Sequence, residues 1–308
     1  MVRHFITDLD LTAEEQAEVI DLAIAMKKDR KAYAQALEGL VLGMIFEKSS
    51  TRTRVSFEAG MIQLGGQAIF LHSDSSQIGR GEPARDTGRV LSRYLDLMMI
   101  RTYENKEIRA LAAASSVPVI SGLDDDYHPC QSLTDLMTIK EHKGKIEGLQ
   151  LVYVGDGNNV AHSLALGGAL AGLNVRCICP EGFYPNKGII ETAREVAARR
   201  GATIELSSDL DDVAGADIVY TDVWASMGQE KQALARAEAF ADYTVTEELM
   251  AKAKDDAIFM HCLPAHREEE VSAAVLEGPQ SVVYDEAENR LHAQKALMVY
   301  LVNASKNG

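Results

Sequence analysis

Residues 40–58 read "LVLGMIFEKSSTRTRVSFE", an apolar run at 40–46, then hydroxyls and arginines, then an apolar helical pattern. Strand, polar turn and helix form the repeating unit of a parallel sheet. The same alternation continues on both sides. "QAIFL" at 67–71, "LMMI" at 97–100 and "VPVI" at 117–120 are further apolar runs separated by helical patterns. After the polar, Gly-punctuated "KEHKGKIEGLQ" near 140–150 the pattern restarts with "LVYV", "VRCIC", "TIEL", "DIVYT" and "AIFM". The spacing predicts an α/β chain of two three-layer domains, each with a central, mostly parallel sheet, joined by helices. The expected domains are 1–145 and 146–285, with a C-terminal helix at 286–308 packing back on the first. Thr12 followed by Glu15 predicts a capping box for an opening helix to about Arg30. In "ENRLHAQKALMVYLVN", Leu291, Ala293, Ala296, Leu297, Val299, Tyr300 and Leu301 give the last helix a broad apolar face.

Composition narrows the function. At 308 residues the chain exceeds the size of one ordinary core, consistent with two domains. Its 46% hydrophobic and 25% charged residues are those of a soluble globular protein. Acidic residues outnumber basic ones, 46 to 31, for a net charge of -15, which argues against nucleic acid or an anionic membrane as partner. A small anion held by local geometry remains compatible. Cys130, Cys177, Cys179 and Cys262 lack paired spacing, so a reducing compartment is expected. The N-terminal segment has no signal-peptide core, and no apolar run approaches the roughly 20 residues of a membrane span. A cytoplasmic protein is the expectation.

In open parallel sheets, ligands bind beyond the carboxyl ends of the strands. Polar clusters fall there after several predicted strands: "SSTRTR" at 49–54, Arg101, "HPCQ" at 128–131, "GDGNN" at 155–159, "DVWASMG" at 222–228 and "HCLP" at 261–264. Both domains contribute, so the active site is expected in the interdomain cleft. Ser50, Thr51, Arg52 and Thr53 start a helix, where backbone N–H groups, hydroxyls and a guanidinium can converge on a phosphate. Ser50 or Thr51 as a simple cap is the plainer alternative. "GDGNN" lacks the third small residue of a dinucleotide turn because Val160 follows, which disfavours a nicotinamide site.

Other positions keep two readings at this point. His128 is either structural or, with Gln131 and Arg101, a group that polarises a carbonyl. Asp222 either caps a turn or receives a cationic amine, and Trp224 reads as packing. His261 beside Cys262 is a weak metal pattern without a second ligand pair; a buried, inert thiol is the default for Cys262, as for Cys177 and Cys179.

Together "FEKSSTRTRVSFE", "HPCQSLTDL", "GDGNNVAHS", "DVWASMGQE" and "FMHCLPAHR" resemble the ornithine-using transcarbamylases over about residues 4 to 303. The resemblance implies transfer of a carbamoyl group from carbamoyl phosphate to the δ-amine of L-ornithine, giving L-citrulline and phosphate, a step of arginine biosynthesis. By motif it implies that Ser50, Thr51, Arg52 and Thr53 hold the phosphate, and that Arg101 reaches phosphate and carbonyl oxygen. His128 would then polarise the carbonyl, with Pro129, Cys130 and Gln131 completing that contact and Gln131 orienting the carbamoyl nitrogen. Arg290 matches a further carbamoyl phosphate contact, as do Cys262 and Leu263, which border the reacting amine. Asn159, Asp222, Ser226 and Met227 match the amino-acid contacts. Arg101, His128, Asp222 and Cys262 are the implied catalytic set, working between closing domains with no metal or organic cofactor.

"SDSSQIGRGEP" resembles the family's mobile loop, whose Gln77 would reach a neighbouring subunit's site, implying a homotrimer or an assembly of trimers. Two departures are visible: Ser49 where family members often carry proline, and Ala265–His266 where some bacterial members read arginine directly. Neither removes an implied contact. Rival expectations are a carbamoyltransferase acting on putrescine or an N-acylornithine, an NAD-dependent oxidoreductase, and a non-catalytic binding module.

Overall fold

The computed structural model describes residues 2–73, 77, 81–225 and 233–306. The chain divides into two compact units, Met1–Met137 with Asn289–Gly308, and Thr138–Glu288. The first begins with α1 (Ala13–Lys28), whose Thr12 and Glu15 form the expected reciprocal cap. Four parallel strands follow, β1 (Val41–Phe46), β2 (Gln67–His72), β3 (Leu97–Arg101) and β4 (Val119–Leu123), ordered β2-β1-β3-β4. The helices α2 (Thr51–Gln63), α3 (Ala84–Leu91) and α4 (Asn105–Ala114) connect them. Burial along β1 and β3 is nearly continuous, as a parallel sheet covered on both faces requires. Helix α2 buries Thr53, Phe57, Gly60 and Met61, a stripe at helical spacing.

α5 (Pro129–Lys143) leads from β4 toward the second unit. There β5 (Gln150–Val154), β6 (Asn174–Ile178), β7 (Ile204–Ser207), β8 (Ile218–Thr221) and β9 (Ile258–Met260) make a parallel sheet ordered β7-β6-β5-β8-β9. α6 (Asn159–Leu170), α7 (Lys187–Arg200), α8 (Ala233–Phe240), α9 (Glu247–Met250) and α10 (Ala273–Leu276) accompany it. The terminal α11 (Val283–Lys306) starts before the predicted "ENR", and its portion from Asn289 belongs to the first unit. Within that unit Lys27 Nζ donates to Asn289 Oδ1 at 2.8 Å, and Arg3 N–H to Ser305 Oγ at 3.2 Å.

Strand order locates the chemistry. In each unit the chain turns back on itself between two neighbouring strands, β1 and β3 in the first and β5 and β8 in the second, and such reversal points open a crevice at the carboxyl ends. Phe46 pairs with Arg101 at one, and Val154 with Thr221 at the other. The residues just beyond them are the polar clusters seen in the sequence.

Candidate active site

At the first reversal point Ser50 caps α2: its Oγ accepts from Thr53 N–H at 3.3 Å and donates to Thr53 Oγ1 at 3.0 Å. Capping and anion binding are compatible here. The cap uses Thr53 N–H, whereas the N–H groups of Thr51 and Arg52 also lie in the first turn, where the helix supplies no acceptor. Thr51 and Arg52 are exposed, and Thr53 is buried. The positive end of the helix dipole adds to the attraction for an anion.

Behind Thr53 lies a buried polar chain. Arg290 Nη2 donates to Thr53 Oγ1 at 3.4 Å, and Nη1 donates to Gln131 Oε1 and stands 3.5 Å from His128 Nε2. Gln131 Nε2 is fixed in turn by Asp135 Oδ1 at 2.7 Å. Arg101 ends β3 and is also buried. Burial, then Arg290 and Arg101, hold the His128 imidazole well below its ordinary pKa, so it stays neutral. A neutral imidazole can donate one hydrogen bond to a carbonyl oxygen.

The loop carrying His128 has its own support. Asp124 accepts from Asp126 N–H, Tyr127 N–H and Asn105 Nδ2, each at 2.8 Å. Burial nevertheless raises its carboxyl to about 6. Pro129 opens α5, a position that needs no backbone N–H. The Cys130 thiol donates to Ser121 O at 3.3 Å and is pushed by burial up to about 12, so it serves packing and not nucleophilic chemistry. Lys48 was not singled out from the sequence. It is buried directly after β1, paired with Asp125, and lies 4.4 Å from the Tyr103 ring centroid. Its place in a strand-following polar cluster was the available signal.

At the second reversal point Asp222 is buried and accepts from Asn158 Nδ2 at 2.7 Å and from the Cys262 thiol at 3.1 Å. Asp222 is thus a convergence point between the loops after β5, β8 and β9, and more than a turn cap. Asn158, not selected from the sequence, does two jobs: its Oδ1 caps α6 by accepting from Val160 and Ala161 N–H, while its amide orients Asp222. Asn159 is the first residue of that helix. Cys262 corrects the default expectation of a buried, inert thiol: it is partly exposed and bonded to the carboxylate. Cys177 and Cys179 are buried as expected.

Local geometry explains the Cys262 position. Leu263 adopts φ 57, uncommon for a branched side chain, and its N–H donates to His261 Nδ1 at 2.9 Å. With Nδ1 accepting, the proton assigned to Nε2 faces Glu270 Oε1 at 3.1 Å; both residues are fully buried. Nearby, Asp156 pairs with Arg236 at 2.8 Å, and Arg236 Nη1 also donates to Trp224 O at 2.8 Å. Burial raises Asp156 to about 6 despite that arginine. Trp224 stacks on Phe240, as a packing residue would. Ser226 and Met227 lie outside the described residues, and Gln77 is exposed.

Gly157 of "GDGNN" has a structural cause unrelated to a nucleotide. A Cβ on Gly157 would stand 2.1 Å from Pro185 N and 2.3 Å from Tyr184 C, and its N–H donates to Phe183 O at 2.8 Å. Close backbone approach alone demands glycine there.

Residues 3–141 match the carbamoyl-P binding domain of aspartate/ornithine carbamoyltransferases, and residues 147–301 match their Asp/Orn binding domain. The chain is 56% identical over 303 residues to an ornithine carbamoyltransferase of Oceanobacillus iheyensis, covering 97% of this chain and 94% of the relative. It is 51% identical to that of Acidothermus cellulolyticus, covering 99% and 98%. A solved ornithine carbamoyltransferase from Pyrococcus furiosus superposes with a TM-score of 0.93 at 50% identity, covering 96% of each chain.

Proposed function

The chain belongs to the aspartate/ornithine carbamoyltransferase family, and we infer from that premise that it transfers the carbamoyl group of carbamoyl phosphate to the δ-amine of L-ornithine, giving L-citrulline and phosphate. The single observation that carries the assignment of residues is the buried chain from Thr53 through Arg290 to Gln131 and His128, at the start of the anion-favouring helix α2.

Ser50, Thr51, Arg52 and Thr53 receive the phosphate. Arg101 and the neutral His128 face the carbonyl oxygen and stabilise the negative charge that develops on it. Arg290 occupies one lone pair of Gln131 Oε1, and the other can accept from the carbamoyl N–H. Pro129 and Cys130 contribute through the backbone of the first turn of α5. In the second unit Asp222 and Cys262 position the amine, Leu263 borders it, and Asn159, Ser226 and Met227 complete the amino-acid contacts. The amine attacks in its neutral form; its nitrogen bonds to the carbonyl carbon, the tetrahedral intermediate expels phosphate, and the surplus proton leaves with the products. Holding both reactants in attack geometry supplies much of the rate.

The same reading includes a homotrimer, or an assembly of trimers, in which Gln77 reaches a neighbouring site, and a cytoplasmic location. Among the described residues no helix is long and apolar enough to cross a membrane.

Arg52→Ala tests the assignment. Loss of one charge-assisted contact, roughly 1.5 to 3 kcal/mol, raises KM for carbamoyl phosphate about 10- to 150-fold. Steady-state kinetics with carbamoyl phosphate varied at saturating ornithine would show it, and unchanged constants would remove Arg52 from the phosphate site.

A further inference from the structure

We propose that His266, Glu269 and Glu270 bind a divalent transition-metal ion of the zinc type, behind the loop that carries Cys262. One ligand atom from each of these residues lies within 4.8 Å of the others. A tight reversal gathers them: Glu269 N–H donates to His266 O at 3.1 Å, Glu268 adopts φ 65, and its N–H donates to Val271 O at 2.9 Å. Glu270 is fully buried, whereas His266 and Glu269 are exposed and free to rotate onto an ion.

The independent observation is the far oxygen of Glu270. Its Oε1 accepts from His261 Nε2 at 3.1 Å and from His266 N–H at 2.6 Å. Its Oε2 is equally buried yet accepts no hydrogen bond among the described residues. His266 Nδ1 stands 3.7 Å from it, beyond hydrogen-bond length. A buried carboxylate oxygen with no donor is costly, and a bound cation offsets that cost. The adjacent Arg267 does not serve, because it is paired with Glu277.

Donor chemistry selects the ion. One imidazole with two carboxylates suits zinc, whose ligand bonds run about 2.0 to 2.2 Å and whose fourth position can hold water; magnesium and calcium favour all-oxygen sets. The neighbouring group of Asp222, His261 and Cys262 is a poorer host, since both ring nitrogens of His261 are engaged, by Leu263 N–H and by Glu270. An ion on Oε2 leaves Oε1 to His261 and so loads the carboxylate that holds the Cys262–Leu263 turn.

The test is calorimetric titration of the purified full chain with zinc(II), and spectroscopic titration with cobalt(II). One ion per chain is expected, with cobalt d–d bands and no sulfur-to-cobalt charge-transfer band. His266→Ala and Glu269→Ala, both at exposed positions, should each weaken binding by more than about tenfold, and Cys262→Ser should leave it unchanged. Absence of saturable binding overturns the proposal. So does binding that persists in His266→Ala and shows a thiolate band abolished by Cys262→Ser.

Discussion

Alanine at His128 lowers kcat by about 10²- to 10³-fold and leaves the KM for ornithine near that of the unaltered chain. This is the size of effect expected when one preorganised donor to a developing oxyanion is removed. The donor must be an imidazole that is already neutral. Burial together with Arg290 and Arg101 disfavours the imidazolium, so His128 becomes charged only well below pH 6.5. Because the folded-state pKa is lowered, the stability this group contributes starts to fall as the pH drops through the 6.5 of an ordinary imidazole and stops falling once the folded ring itself protonates, which also removes its one nitrogen acceptor. The pH profile of kcat accordingly shows no acid limb from His128 near 6.5. A limb centred there that disappears in His128→Ala would contradict the assigned protonation state.

Asp222→Asn separates the two substrates. The substitution keeps side-chain size and can still accept from one of the two donors now bound, Asn158 Nδ2 and the Cys262 thiol. It removes the negative charge. A charge-assisted contact of roughly 1.5 to 3 kcal/mol corresponds to a fall of about 10- to 150-fold in kcat/KM for ornithine. Carbamoyl phosphate affinity, measured by equilibrium binding to the free protein, should not change. A variant that loses carbamoyl phosphate binding and keeps its ornithine kinetics would place Asp222 in the wrong half of the reaction.

Much of this was legible in the sequence because parallel strands announce themselves as apolar runs and their carboxyl ends collect the polar residues. The runs ending at Phe46 and Ile100 became β1 and β3, and the helix begun by Ser50 starts where its cap predicted. Arg290 was different. It lies 162 positions from His128, and only the family resemblance connected them; in the fold a single helix returning to the first unit sets its guanidinium beside the imidazole.

Asn158 was missed for a local reason. "GDGNN" invited a question about glycines and nucleotides, whereas the informative feature was an asparagine one residue before a helix, with one amide end for the cap and the other for Asp222. For Cys262, the general tendency of cysteine toward burial was overridden by a turn with Leu263 at positive φ. A loop geometry that depends on His261 and Glu270 being hydrogen-bonded in the core leaves no periodic trace in sequence.

The most direct measurement is formation of ureido product by the purified chain given carbamoyl phosphate and, in separate reactions, ornithine, putrescine, N-acetylornithine and aspartate, with no added cofactor. The account predicts citrulline and phosphate from ornithine, released one for one, and negligible product from the other amines. Preference for another amine would contradict the placement of Asp222 and its neighbours at the α-amino acid, and no product from any amine would contradict carbamoyl transfer itself.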